Sequence, residues 1–181
     1  MLFNKKNLVV LCVTAGLGFT GVAAAATSAQ VNVTGQIAAA TCDLNVTNSN
    51  IDLGTHISSD ITTIGKITPS SHDFELRLSN CSKAFDGSAA GAAPVQLFAK
   101  GTALLANSDL FNNTVGGTVG VELTADSKQV KPNTSVDLAS ITDITAGGSA
   151  TVPMNVVLNS TVATPASQLI EAPITFSVSY E

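Results

Sequence analysis

The chain has no tryptophan, one tyrosine and seven phenylalanines, so aromatic residues make up only 4% of its 181 positions. That weakens any case for a pocket that stacks sugar rings or nucleobases. Charge is scarce as well, at 12% of residues, and no block of like charge occurs. Basic residues are outnumbered, eight Lys and Arg against thirteen Asp and Glu. This argues against nucleic acid, whose binding is driven by Lys and Arg displacing counterions. There are only two histidines, and no G-x-S-x-G elbow, H-E-x-x-H helix or phosphate loop accompanies them. A hydrolytic site needs a nucleophile, a base and an orienting group in mutual reach, and nothing in the sequence assembles one. His56 and His72 have polar neighbours and read as surface loop positions. Asp73 and Glu75, two apart, read as a solvated strand face. No segment carries a sustained helical period with caps, no repeat is present, and no linker divides the chain.

The opening residues have a different character. Lys5 and Lys6 precede an apolar stretch from Leu8 to Val22, which ends in Ala23-Ala24-Ala25-Ala26. A charged start, an apolar middle and a small-residue end make a secretory signal peptide, cut after Ala25 or Ala26. The alternative, an N-terminal anchor helix, needs ~20 apolar residues, and Thr14, Gly16 and Gly18 interrupt this run. Cys12 lies inside the apolar run rather than at the cleavage site, which does not fit a lipoprotein. The mature chain then suits one domain and carries a formal charge of −7, from six basic and thirteen acidic residues.

Signal removal reduces three cysteines to two, Cys42 and Cys81. In an exported protein an even count reads as a disulfide. Closing a loop of this length contributes roughly 4 kcal/mol in the chain-entropy picture. A two-thiol metal site is the alternative, but neither histidine stands at ligand spacing.

The mature chain is rich in Val, Thr, Ile and Ser, with Gly, Asn and Pro between short alternating runs. Phe74–Leu78, Pro94–Phe98, Val119–Leu123 and Thr175–Tyr180 alternate, and Val152–Leu158 is a longer apolar run. Period-2 patterning with one wet face predicts antiparallel sheets covering a core, and several such runs suggest a sandwich. Ala99–Leu105 and Ser108–Asn112 could form a turn of helix at most. Phe85–Ala93 and Asp143–Ser149 read as loops.

One run stands out. Ala29, Val31, Val33, Gly35, Ile37 and Ala39 alternate with Gln30, Asn32, Thr34, Gln36 and Ala38. Successive strand side chains point to opposite faces, so the apolar set can be buried while the polar set stays wet. Gly35 on the apolar face is unusual, because glycine weakens a strand and often marks a close approach. Periodicity alone favours an ordinary first strand of the domain's own sheet. A strand intended for another molecule is the sharper reading, since strand addition is a recurrent recognition mode.

In four places the chain resembles the chaperone–usher pilins, the type 1 fimbrial major-subunit family. Val31-Asn32-Val33-Thr34-Gly35-Gln36-Ile37 is similar to the family's donor strand. Cys42-Asp43-Leu44, with Cys81 in Leu78-Ser79-Asn80-Cys81, is similar to its cysteine pair. Ile51-Asp52-Leu53-Gly54 matches a short strand between the two cysteines. Phe176-Ser177-Val178-Ser179-Tyr180-Glu181 matches its C-terminus. One departure is Ala166-Ser167-Gln168-Leu169, where the family often has a glycine.

The resemblance implies an all-β, incomplete immunoglobulin-like sandwich that lacks its last strand and is completed by a strand from another subunit. It divides the chain into a signal peptide over 1–26, a donor extension over 27–39 and a pilin domain over 40–181. Ala29, Val31, Val33, Gly35 and Ile37 would be the donor residues. Phe176, Val178 and Tyr180 would line the acceptor groove, and the carboxylate of Glu181 would be gripped by a chaperone. The implied function is a structural, non-catalytic subunit of a bacterial fimbria that contributes to surface attachment, with no cofactor, metal or small-molecule substrate. Its partners would be identical or related subunits, a periplasmic chaperone and an outer-membrane usher, and its route would run through the periplasm to the cell surface. The alternative is a small secreted adhesin or lectin-like tip module, which would need a binding domain beside the pilin domain.

Overall fold

Alternation along the chain translates into strands almost everywhere. A computed structural model describes residues 42–180. The signal segment 1–26, the donor residues Ala29, Val31, Val33, Gly35 and Ile37, and Glu181 lie outside the described residues. Thirteen strands follow in order: β1 (Asp43–Val46), β2 (Gly65–Lys66), β3 (His72–Ser79), β4 (Phe85–Asp86), β5 (Gln96–Lys100), β6 (Ala103–Leu104), β7 (Asn107–Phe111), β8 (Val119–Ala125), β9 (Lys128–Val130), β10 (Thr134–Asp137), β11 (Asp143–Ile144), β12 (Ala150–Ser160) and β13 (Thr175–Ser179). The only helical pieces among the described residues are 3-10 turns at Ser58–Asp60 and Thr68–Ser70.

The larger sheet runs β1-β3-β12-β8-β7-β6, with β2 added to β12 and β9 to β8. A second sheet runs β10-β5-β13, and β11 pairs with β4. Every pairing is antiparallel. In β3 the apolar residues Phe74, Leu76 and Leu78 are buried while Asp73, Glu75 and Arg77 stay exposed. They meet Leu97, Ala99 and Val178 of the second sheet in one core. This is the two-layer sandwich that period-2 patterning predicts.

Two features show how sequence sets register. Asp126 and Ser127 both adopt positive φ, 52° and 64°, and join β8 to β9 through the pair Ala125↔Lys128. Both central residues at positive φ is the hairpin turn that matches the twist of the strands. Pro153 stands in the central strand β12, where a missing N–H would normally break a ladder. There β12 pairs with β3 at Glu75, but the ladder to β8 starts one residue later, at Met154. Pro153 contributes its carbonyl instead, accepting from the Asp126 N–H at 2.9 Å.

Some local expectations are corrected. Ala99–Leu105 and Ser108–Asn112 hold the end of β5, β6 and most of β7, not helical turns. Their buried residues Leu104, Leu110 and Phe111 belong to the sheet interior. Phe85–Ala93 and Asp143–Ser149 are not wholly loops, since they pair through Asp143↔Asp86 and Ile144↔Phe85. Burial of Phe85 and Ile144 favours this short ladder, which two residues per strand leave invisible to periodicity.

Candidate functional site

Two sheet edges face one another, and no strand of the described residues lies between them. Among the described residues β13 pairs only with β5, and β1 only with β3. A cavity of about 1200 Å³ opens between them. Its floor is the sandwich core itself, with Phe74, Leu76, Val121, Leu123, Val156 and Leu158. One wall is residues 44–56, with Leu44, Val46, Ile51 and Leu53 half-buried. The other is residues 165–176, with Ile170, Ala172, Ile174 and Phe176 half-buried. All eight of these side chains pack against the core without being covered by it. The ring of Phe176 rests 6.5 Å from that of Phe74.

The wall from Ile170 to Phe176 alternates half-buried and exposed residues, yet only Thr175 onward belongs to a strand. Where it bonds, it uses odd-numbered residues: the carbonyl of Glu171 accepts from the Asn113 N–H at 2.7 Å, and that of Leu169 from the Thr114 hydroxyl at 2.7 Å. In an extended chain the N–H and C=O of one residue point to one edge and those of the next residue to the other. The backbone groups of Ile170, Ala172 and Ile174 therefore point to the opposite edge, where no described residue bonds to them. Pro173, which has no N–H, falls on the fastened edge. The free edge keeps all its donors.

The opposite wall hangs from the disulfide. Cys42 and Cys81 are joined, which ties the start of β1 to the residue after Asn80, and Asn80 itself donates to the Asp43 carboxylate at 2.9 Å. Beyond β1 the chain turns under local side-chain bonds, Asp52 accepting from the Gly54 N–H at 2.9 Å. His56 lies on this wall, its Nε2 2.8 Å from the Leu53 carbonyl oxygen.

The structure separates the last-strand residues singled out from sequence. Phe176 faces the groove, whereas Val178 and Tyr180 are buried beyond its end, Tyr180 at 2% exposure. The Tyr180 hydroxyl donates to the Lys83 carbonyl at 2.7 Å, and its ring meets Phe85 edge-on at 5.9 Å. The groove residues that sequence reasoning did not single out are Ile170, Ala172 and Ile174. They continue the same alternation upstream, and a period-2 count carried back from Phe176 finds them. Among the described residues no cluster of three His, Cys, Asp or Glu could hold a metal ion. Away from the groove, the Asp86 carboxyl is held below the usual carboxylate range by hydrogen bonds from the hydroxyl and N–H of Ser88.

No protein-family model matches the chain. Solved pilus subunits share this fold. The P pilus rod subunit PapA superposes with a TM-score of 0.56 at 19% identity, over 84% of this chain and 99% of that one. A subunit in the structure of a chaperone–usher pilus gives 0.53 at 17% identity, over 87% and 98%. In sequence the chain is 28% identical, over 97% of both lengths, to the S-fimbrial protein subunit SfaG of Escherichia coli O6:K15:H31 (strain 536 / UPEC). The chain thus shares its fold with pilus subunits and is similar over its whole length to a fimbrial subunit.

Proposed function

We propose that this chain is a structural pilus subunit of the chaperone–usher type that polymerises by strand donation: residues 29–37 of one copy enter the groove of the next and complete its sandwich. The observation that carries this reading is the groove, a trough with an apolar floor whose free edge offers backbone groups of Ile170, Ala172 and Ile174 that no described residue bonds. As a strand the donor run 29–37 would span about 26 Å at ~3.3 Å per residue, enough to lie along the wall from Ile170 to Phe176. Val31, Val33 and Ile37 would each gain about 1.5–3 kcal/mol on full burial. Gly35 would sit where a side chain has least room. An uncovered edge of this kind invites aggregation, so the reading includes a periplasmic chaperone that covers the groove first, holding the carboxylate of Glu181, and an outer-membrane usher where exchange occurs. The product is a cell-surface fimbria that contributes to attachment, and no catalytic step is part of it.

Ile174→Asp tests the groove directly. A carboxylate on the wall would be left unpaired against an incoming apolar strand, a strongly unfavourable burial. A synthetic peptide of residues 27–39 should bind the wild-type chain and fail to bind Ile174→Asp, while both give the same circular dichroism spectrum. Equal binding by the two would remove the groove from the mechanism.

A further inference from the structure

Half-exposed apolar rows face each other across an open trough, and nothing in the apolar effect keeps them apart. Closing the walls together would bury both rows, at about 25 cal/mol per Å² removed from water. The 165–174 wall lacks a ladder to resist this. Its carbonyls at Pro165, Leu169 and Glu171 each accept one bond, from Ser58, Thr114 and Asn113, but the side chain that holds it to the groove floor is Gln168. The Gln168 Oε1 accepts from the N–H groups of Thr118 at 3.0 Å and Val119 at 3.3 Å. Its Nε2 donates to the Thr118 hydroxyl at 3.1 Å and to the Ala166 carbonyl at 3.1 Å. Two acceptor sites and two hydrogens are the full capacity of an amide, and all are used.

The anchor point is itself braced. Val119 begins β8, which forms the groove floor, and its carbonyl accepts from Asn112 Nδ2 at 2.6 Å. The Thr118 carbonyl accepts from both the N–H and the hydroxyl of Thr161, each at 2.8 Å. Gly117 permits the approach: a Cβ there would stand 2.8 Å from Asn112 Nδ2 and 3.1 Å from Gln168 Oε1.

We infer that Gln168 is a positioning residue for strand capture, a clasp that ties the free wall to the floor strand and so keeps the groove open. This rests on the strand-donation reading above. The clasp acts on the empty groove. Once a strand is seated, the new ladder holds the wall and the clasp is redundant. Its signature is therefore in the association rate, not in the stability of the completed sandwich.

The test uses the full chain and a fluorescent peptide of residues 27–39, with association and dissociation followed by anisotropy. Gln168→Met keeps the length and removes every bond; losing bonds of this kind should slow association about tenfold. The dissociation rate and the melting temperature of the peptide-loaded chain should stay at wild-type values. Gln168→Glu retains the acceptor for Thr118 and Val119 and should recover most of the rate. Should Gln168→Met not fold, Gly117→Ala presses on the same clasp from the loop side and should slow association in the same way. Association by Gln168→Met at the wild-type rate would overturn the clasp, as would a slowing matched by faster dissociation and a lower melting temperature. If the wild-type chain does not bind the peptide at all, the strand-donation reading falls, and the clasp with it.

Discussion

Val33→Asp should abolish fibre growth while leaving the subunit folded. Val33 is the central apolar residue of the 29–37 run. Placed in a groove floored by Leu76, Leu123 and Val156, a carboxylate there would have no partner, a cost of several kcal/mol. Each ~1.4 kcal/mol is a factor of ten in affinity, so polymerisation should fall by about a hundredfold or more. The neighbouring Asn32→Asp puts the same charge on the wet face and should be nearly silent. Fibre length by electron microscopy, with the two variants expressed side by side, reads the difference. A shift of one residue exchanges the faces of a strand, so the reverse outcome would mean that the donor face has been assigned backwards. If neither variant changed fibre length, another segment would have to be the donor.

The second large effect is expected at the disulfide. Cys42→Ser should cost the subunit about 2–5 kcal/mol, the range for a native bridge in a small secreted domain. The bridge spans a sequence separation of 39, for which the chain-entropy picture gives about 4 kcal/mol. Its place in the fold makes the loss specific. β1 is four residues long and, among the described residues, paired on one side only, and its Leu44 and Val46 belong to the groove wall. Freed from Cys81, β1 should fray first, so the groove should lose a wall before the core unfolds. Urea denaturation of Cys42→Ser and wild type, each with and without reductant, checks this. Reductant should lower the wild-type midpoint to that of the variant and leave the variant unmoved.

How much of this was legible in the residues depends on the range of the interaction. The long strands β3, β8 and β12 were visible because Phe74, Leu76 and Leu78, or Val119, Val121 and Leu123, repeat at period 2 over enough positions to register. The cysteine partners were visible because only two of the three cysteines lie outside the expected signal segment. The pairing of Phe85-Asp86 with Asp143-Ile144 was not visible, since two residues have no period and their partners lie far apart in sequence. The last strand was half legible. Alternation puts Phe176, Val178 and Tyr180 on one face, as observed, but the burial of Tyr180 is decided by the carbonyl of Lys83, 97 residues away. The second groove wall was hidden by its punctuation. Pro165, Pro173 and the polar pair Ser167-Gln168 make residues 165–174 look like a loop, and only the fold shows that Ile170, Ala172 and Ile174 extend the face begun by Phe176. Gln168 lies in the stretch 166–169 where the chain departs from the pilin pattern, and its partners Thr118 and Val119 could not be inferred from that.

An incoming strand would pair with the free edge of this wall, and amide hydrogen exchange resolved to single residues reads that edge directly. On adding the peptide of residues 27–39, the N–H groups of Ile170, Ala172 and Ile174 should become strongly protected. That of Glu171, on the fastened edge, should change little. Protection on the fastened edge alone, or no new protection on either, would contradict strand addition at this groove.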